Sequence, residues 1–224
     1  EGTKCVLDTV EHFKCRHLFA SKAWIDSHVA ETRCFGFVEA TRVQLDRMSM
    51  LKTPSDVLAV YDKPDWTLNA DEIADSLTLV LDGVQDPGNL GTIMRIADWF
   101  GIRNIVCSED TADVYNPKVV QATMGAIARV RVFYCGLDEF LSQFPDLPVY
   151  GTFLDGDDIY AAPLSEAGLL IMGNEGRGIS PKVEQLVNRR LFIPPYPGGV
   201  ATSESLNVGM ATAIAVSEFR RRIR

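Results

Sequence analysis

The residues of this chain best suited to chemistry fall in three short blocks. Leu170-Ile171-Met172 runs into Gly173-Asn174-Glu175-Gly176-Arg177-Gly178-Ile179-Ser180; Leu191-Phe192-Ile193 ends at Pro194-Pro195; and Ser205-Leu206-Asn207-Val208 opens a helical run. Upstream, Leu77-Thr78-Leu79-Val80-Leu81-Asp82 gives way to Gly83-Val84-Gln85-Asp86-Pro87-Gly88-Asn89-Leu90-Gly91. An apolar run that stops in glycine leaves main-chain groups open to a ligand. In an alternating α/β region such loops lie at the carboxyl ends of strands, where pockets form.

Several side chains there have two readings. In the helix after Asn89, Leu90, Ile93, Met94, Ala97 and Phe100 trace a buried stripe, which leaves Gly91, Arg95 and Asp98 on another face. Arg95 then either faces the pocket or is a solvated arginine paired with Asp98 or Asp82. Asn89 and Ser205 each suit a helix N-cap as well as a site. Glu175 either meets a ligand or faces water from a turn, and Arg177 either grips a phosphate or is a solvent residue. Asn207, in the first turn of its helix, faces either the pocket or solvent.

Several chemistries are disfavoured. Gly83-x4-Gly88-x2-Gly91 is not the G-x-G-x-x-G of a dinucleotide site, and Gly173 to Ser180 lacks the G-K-[ST] ending of a phosphate loop. The five cysteines (Cys5, Cys15, Cys34, Cys107, Cys135) form no C-x-x-C pair and read as buried free thiols of a reducing compartment. All three histidines lie in the first thirty residues, so no metal is expected. With no 18-residue apolar run and no signal-peptide pattern, a cytoplasmic protein is expected.

The elements that must position these blocks alternate. The 224 residues, 46% hydrophobic, suffice for a full core in one large or two small domains. Val6 to Phe13 spaces as a short helix, His17–Ala20 and Cys34–Val38 as strands, Val43–Leu51 as a helix and Val57–Tyr61 as a strand. A polar, Pro-bearing stretch over 63–76 reads as a linker between a unit at 1–62 and another at 77–224. In the second unit, strands are expected at about 78–82, 102–107, 129–134, 148–153, 168–172 and 190–193. Helices begin at Asn116-Pro117 and Ser180-Pro181, where proline suits the first turn, and the last helix runs roughly from Ser205 to Arg222.

Taken together, Asn89-x-Gly91-x3-Arg95-x-Ala97, Gly173-Asn174-Glu175-Gly176-x-Gly178-x-Ser180, and Ile193-Pro194 with Ser205-Leu206-Asn207-Val208 resemble, in order, the three motifs of the SpoU (TrmH-like) ribose 2′-O-methyltransferases of the SPOUT superfamily. The resemblance covers about residues 77 to 222. It implies an α/β trefoil-knot domain that transfers a methyl group from S-adenosylmethionine to a ribose 2′-hydroxyl of ribosomal or transfer RNA. Residues 1–62 resemble the small α/β RNA-binding domain that precedes many members, with some twenty or more residues missing at its start. By resemblance, Asn89, Arg95, Glu175, Ser205 and Asn207 shape the catalytic site. Thr152, Leu154, Gly173, Asn174, Gly176, Gly178, Ile193, Pro195, Ser205 and Leu206 bind the cofactor, mainly through the main chain.

The family mechanism gives Arg95 the activation of the 2′-hydroxyl. Because a guanidinium is effectively never deprotonated in proteins, the expected role is instead to hold the neighbouring phosphate and the 2′-oxygen. The loop from Pro195 to Glu204 is several residues longer than the compact motif, which leaves roles near Tyr196 and Glu204 open. The net charge of -8 is awkward for a polyanion partner. Arg220, Arg221, Arg222 and Arg224, with Arg33, Arg42, Arg47 and Lys52, offer local basic patches, or the arginine tail simply complements the helix dipole. A homodimer is implied by the family and suggested by the small residues Gly209, Ala211, Ala213 and Ala215. Two other readings remain: a non-catalytic RNA-binding or assembly protein that has kept the fold, and a different nucleotide-using enzyme.

Overall fold

The computed structural model describes residues 1–28, 36–198, 203 and 205–222. The first elements are helix α1 (Thr3–Thr9), strand β1 (Cys15–Ala20), α2 (Lys22–Ser27), β2 (Phe37–Glu39), α3 (Arg42–Met48) and β3 (Val57–Tyr61). Their sheet has the order β2-β1-β3, with β2 parallel and β3 antiparallel to β1. Then follow α4 (Ala70–Ala74), β4 (Leu77–Asp82), α5 (Pro87–Trp99), β5 (Asn104–Cys107), α6 (Pro117–Thr123), a 3-10 turn at Ala126–Ala128 and β6 (Arg131–Tyr134). The chain finishes with α7 (Leu137–Ser142), β7 (Val149–Asp158), β8 (Gly168–Gly173), α8 (Pro181–Glu184), β9 (Arg189–Phe192) and α9 (Val208–Arg221).

The second sheet has the order β6-β5-β4-β8-β7-β9, and every pairing in it is parallel. Central β4 is buried at all six positions because both faces are covered. Leu77, Leu79 and Leu81 join Leu90, Ile93, Met94, Val216 and Phe219 on one side. Val80 joins Ile73, Leu137, Phe140 and Val183 on the other. The chain runs outward from β4 through β5 to β6, then returns to lay β8 against the free edge of β4. That reversal is a switch point, and loops at the carboxyl ends of strands gather beside it.

Some expected boundaries shift for local reasons. The stretch 63–76 holds α4, whose Ile73 is fully buried, because Asn69 caps it through Asp71 N and Glu72 N. Asp86, not Asn89, caps α5: its side chain accepts from Asn89 N and Pro87 fills the first turn. Asn207, not Ser205, caps α9. Gly91 is buried rather than ligand-facing, because α6 comes so close that a Cβ there would lie 2.4 Å from Ala122 Cβ.

The thiols and the arginine tail also differ from expectation. Cys107 is buried, whereas Cys5, Cys15 and Cys135 are only half-buried; Cys34 lies outside the described residues. Arg220 donates to Phe100 O, Arg221 and Arg222 grip the buried Glu218, and Arg222 also donates to Ile159 O, Tyr160 O and Ala162 O. The tail therefore fastens α9 to its own domain. Arg33, Glu204 and Arg224 lie outside the described residues.

Candidate active site at the strand ends

Asp82 and Gly173 are register partners at the ends of β4 and β8, so the loops that follow leave the sheet side by side. Asn174 ties them together, its Nδ2 donating to Gly83 O at 2.6 Å. Its Oδ1 accepts from Gly176 N at 2.9 Å and Arg177 N at 3.0 Å, and its main chain exchanges two hydrogen bonds with Gly178. Gly178 turns the chain with φ 71°, a left-handed conformation that favours glycine. The loop doubles back so closely that a Cβ at Gly173 would lie 2.4 Å from Gly178 C. Asn174 thus spends its side chain and both main-chain groups on shaping this loop.

The doubled loop aims Glu175. Its Oε1 accepts from Asn89 Nδ2 at 2.6 Å, Asn89 Oδ1 accepts from Asn207 Nδ2 at 3.0 Å, and Asn207 Oδ1 accepts from Gly209 N at 2.9 Å and Met210 N at 3.3 Å. Each amide's orientation follows from its neighbour. An ionised carboxylate only accepts, so Asn89 must present NH2 to it and oxygen to Asn207, whose own oxygen then faces the free amides of α9. Three of the five expected catalytic residues meet here, from the first turn of α5, the loop after β8 and the cap of α9.

The other two do not join them. Arg95 lies six residues beyond Asn89 on α5, about 9 Å along the axis at 1.5 Å per residue. It is exposed and, among the described residues, has no hydrogen bond or ion pair. Its suggested partners are taken, Asp98 by Arg129 and Asp82 by Ser180 N. Ser205 is exposed two residues before the cap. Arg177 turns away to Asp110 at 3.2 Å, and Ser108 and then Arg177 hold the Asp110 carboxyl below the usual range.

The expected cofactor residues lie within β7, at the end of β8, just after β9 and just before α9. Thr152 Oγ1 donates to Ile171 O at 3.3 Å, which secures it to β8. Ile193 and Pro195 follow β9, and the apolar side chains of Leu154 and Leu206 stand open to solvent, 71% and 48% exposed. A separate cleft of about 320 Å³ between the two sheets, lined by Phe13, Tyr61, Tyr115 and Ile127, includes none of these residues. Sequence reasoning missed Asp86 as the cap and Arg190, which grips Asp155 and Glu184. The Asp86-Pro87 pair signals the first; nothing local signals the second, whose partners come from other elements.

Fold and site together define an α/β domain whose candidate site lies at a switch point of a parallel sheet. The family model of the SpoU rRNA Methylase family matches residues 76–217. The chain belongs to that family. It is 34% identical over 172 residues to 23S rRNA (guanosine(2553)-2'-O)-methyltransferase RlmP of Bacillus subtilis, a match covering 75% of this chain and 66% of that protein. Against 23S rRNA (guanosine-2'-O-)-methyltransferase RlmB of Neisseria meningitidis it is 30% identical, over 65% of this chain and 58% of the relative. The matches thus span 58% to 66% of the lengths of these relatives. Among solved structures, a protein of Porphyromonas gingivalis described as an RNA methyltransferase of the TrmH family is 42% identical, with a TM-score of 0.86 and coverage of 99% of this chain and 88% of that one. The AdoMet-bound rRNA methyltransferase of Sinorhizobium meliloti is 26% identical with a TM-score of 0.85, covering 100% and 87%.

Proposed function

We propose that this protein transfers a methyl group from S-adenosylmethionine to a ribose 2′-hydroxyl of ribosomal or transfer RNA. The observation that carries the reading is the Glu175–Asn89–Asn207 chain, closed beside the doubled glycine loop. Such a chain of two amides and a carboxylate suits the positioning of a substrate hydroxyl.

The strand ends fit the cofactor. The loop after β8 leaves open space around Gly178, where an added Cβ would meet nothing within 4 Å, and the exposed Leu154 and Leu206 offer apolar surface suited to an adenine ring. Main-chain groups of residues 152–154, 193–195 and 205–206, with those of the 173–178 loop not spent on its own turn, would hold it. When bound, S-adenosylmethionine supplies an electrophilic methyl group on a sulfonium sulfur. Glu175, Asn89 and Asn207 fix the floor on which the ribose is oriented, and Ser205, exposed just before the α9 cap, is free to meet the substrate. Arg95 holds the adjacent phosphate and the 2′-oxygen, stabilising negative charge as the hydroxyl proton leaves to phosphate or water.

Residues 1–62 form the RNA-gripping unit in this reading, and the enzyme works in the cytoplasm; among the described residues no helix is long and apolar enough to cross a membrane. Arg95, set apart from its own chain's Asn89, serves the pocket of a second copy in a homodimer. Gly88, Thr92, Arg95 and Trp99 form an exposed stripe on α5, with Trp99 85% exposed and Met210 of α9 64% exposed. A second copy would cover that apolar surface. Ala215, by contrast, is fully buried within its own domain. Light scattering should give a dimer that Trp99→Arg converts to a folded monomer; a fully active wild-type monomer would contradict the shared site.

The function is tested by incubating the protein and S-adenosylmethionine with total RNA from a strain lacking the gene, then mapping the modified ribose. Incorporation at a 2′-oxygen is expected. Folded protein that binds neither the cofactor nor its demethylated product in calorimetry would favour the non-catalytic reading.

A further inference from the structure

The ladder between β7 and β9 is interrupted. Thr152 and Asp157 both pair with Leu191, so residues 153–156 bulge out of β7 as a four-residue excursion and rejoin at the same partner. Excursions of this kind re-aim the strand beside functional sites. This one lies within β7, beside β9, and carries Leu154.

One side chain holds the excursion from β9. The Arg190 guanidinium lies over the Phe153 ring at 3.6 Å from its centroid. Its two amino groups donate to Asp155 Oδ1 and to Glu184 Oε1 of α8, each at 2.7 Å. The backbones touch at the same place, since a Cβ on Gly156 would lie 2.9 Å from Arg190 O. Phe153 is seated from below, its ring occupying the space a side chain on Gly151 would need, 2.6 Å away. Excursion, strand β9 and helix α8 are thus fastened through one residue.

We propose that Arg190 is a positioning residue for the cofactor: by stacking on Phe153 and bridging Asp155 to Glu184, it fixes the 153–156 excursion in the shape that walls the pocket. The inference rests on the proposed binding of S-adenosylmethionine. Arg190 itself touches no reacting atom. Lysine can reproduce one ion pair but not the stacked, two-armed fork.

The test compares wild type with Arg190→Ala, Arg190→Lys and Asp155→Asn, using Arg189→Ala as a control, since among the described residues the Arg189 side chain bonds only its neighbour's carbonyl, Asn188 O. S-adenosylhomocysteine binding is measured by calorimetry and amide exchange is followed over 153–156. If the excursion holds its shape only about a tenth of the time without the clamp, affinity falls roughly tenfold in Arg190→Ala. Amide exchange over 153–156 should quicken, kcat at saturating cofactor should stay near wild type, and Arg190→Lys should recover part of the loss. Asp155→Asn, in an exposed position, gives the same direction of change should Arg190→Ala fail to fold. Wild-type binding with unchanged affinity in the folded variants overturns the role of Arg190 alone; no binding by wild type removes the cofactor reading and this inference with it.

Discussion

Asn207 and Asn89, 118 residues apart in the chain, meet amide to amide at 3.0 Å, and the Asn207 oxygen at the same time caps the first turn of α9. One side chain therefore both starts a helix and holds the site. Asn207→Asp should keep the cap, because a carboxylate accepts the same two amides and suits the helix dipole, yet it has no donor for Asn89. A melting temperature near wild type with a large loss of kcat is expected. Asn207→Ala should lose activity and also about 1 kcal/mol of stability in denaturant unfolding.

Arg95 is expected to separate binding from transfer. Arg95→Ala should leave cofactor affinity within a few-fold and the melting temperature unchanged, since the side chain is exposed and without partners among the described residues. Methyl transfer should vanish. Arg95→Lys should fail too, because a point charge does not reproduce the guanidinium fork; near-normal turnover in that variant would sink the positioning role.

Two neighbouring glycines should respond oppositely. A Cβ on Gly173 would lie 2.4 Å from Gly178 C, against backbone that cannot move without opening the loop, whereas one on Gly176 would meet nothing nearer than Asn174 Oδ1 at 3.7 Å. Gly173→Ala should lose S-adenosylhomocysteine binding in calorimetry. Gly176→Ala should bind nearly as wild type.

The end of α9 sets an acid limit. Arg221, and behind it Arg222, hold the buried Glu218 carboxyl down to about 2 against the burial that would raise it from 4.5. A depressed carboxylate contributes stability in full above its unfolded value and loses it on acidification. The contribution should therefore fade as pH falls from about 4.5 towards 2. Glu218→Gln should flatten unfolding free energy against pH across that window; an unchanged profile would show that the pair contributes nothing.

The strands and the three motif loops were legible because a sheet covered on both faces imposes long apolar runs that glycine or proline must end. Leu77–Asp82 and Gly168–Gly173 lie close to their expected bounds for that reason. Cap identity was less legible: Asp86 and Asn89, or Ser205 and Asn207, are equally good cap residues by type, and only the path of the chain selects between them. The separation of Arg95 from Asn89 follows from helix phase, but its meaning depends on what lies beyond the exposed stripe. Arg190 was invisible because its partners, Phe153, Asp155 and Glu184, are brought together only by the β7–β9 pairing and the turn of α8.

The placement of β8 between β4 and β7 bears on how the chain is made. β4 gains its second neighbour only when residues 168–173 arrive, Asp82 waits for Ser180, and Asn89 waits for Asn207. Contacts of such long sequence separation slow folding, because loop-closure entropy is paid before they form. During synthesis the first strands of this sheet emerge with an apolar edge exposed, a state that invites association with other chains. The candidate site is thus assembled last, and chaperone dependence should be greatest for chains stalled before β8.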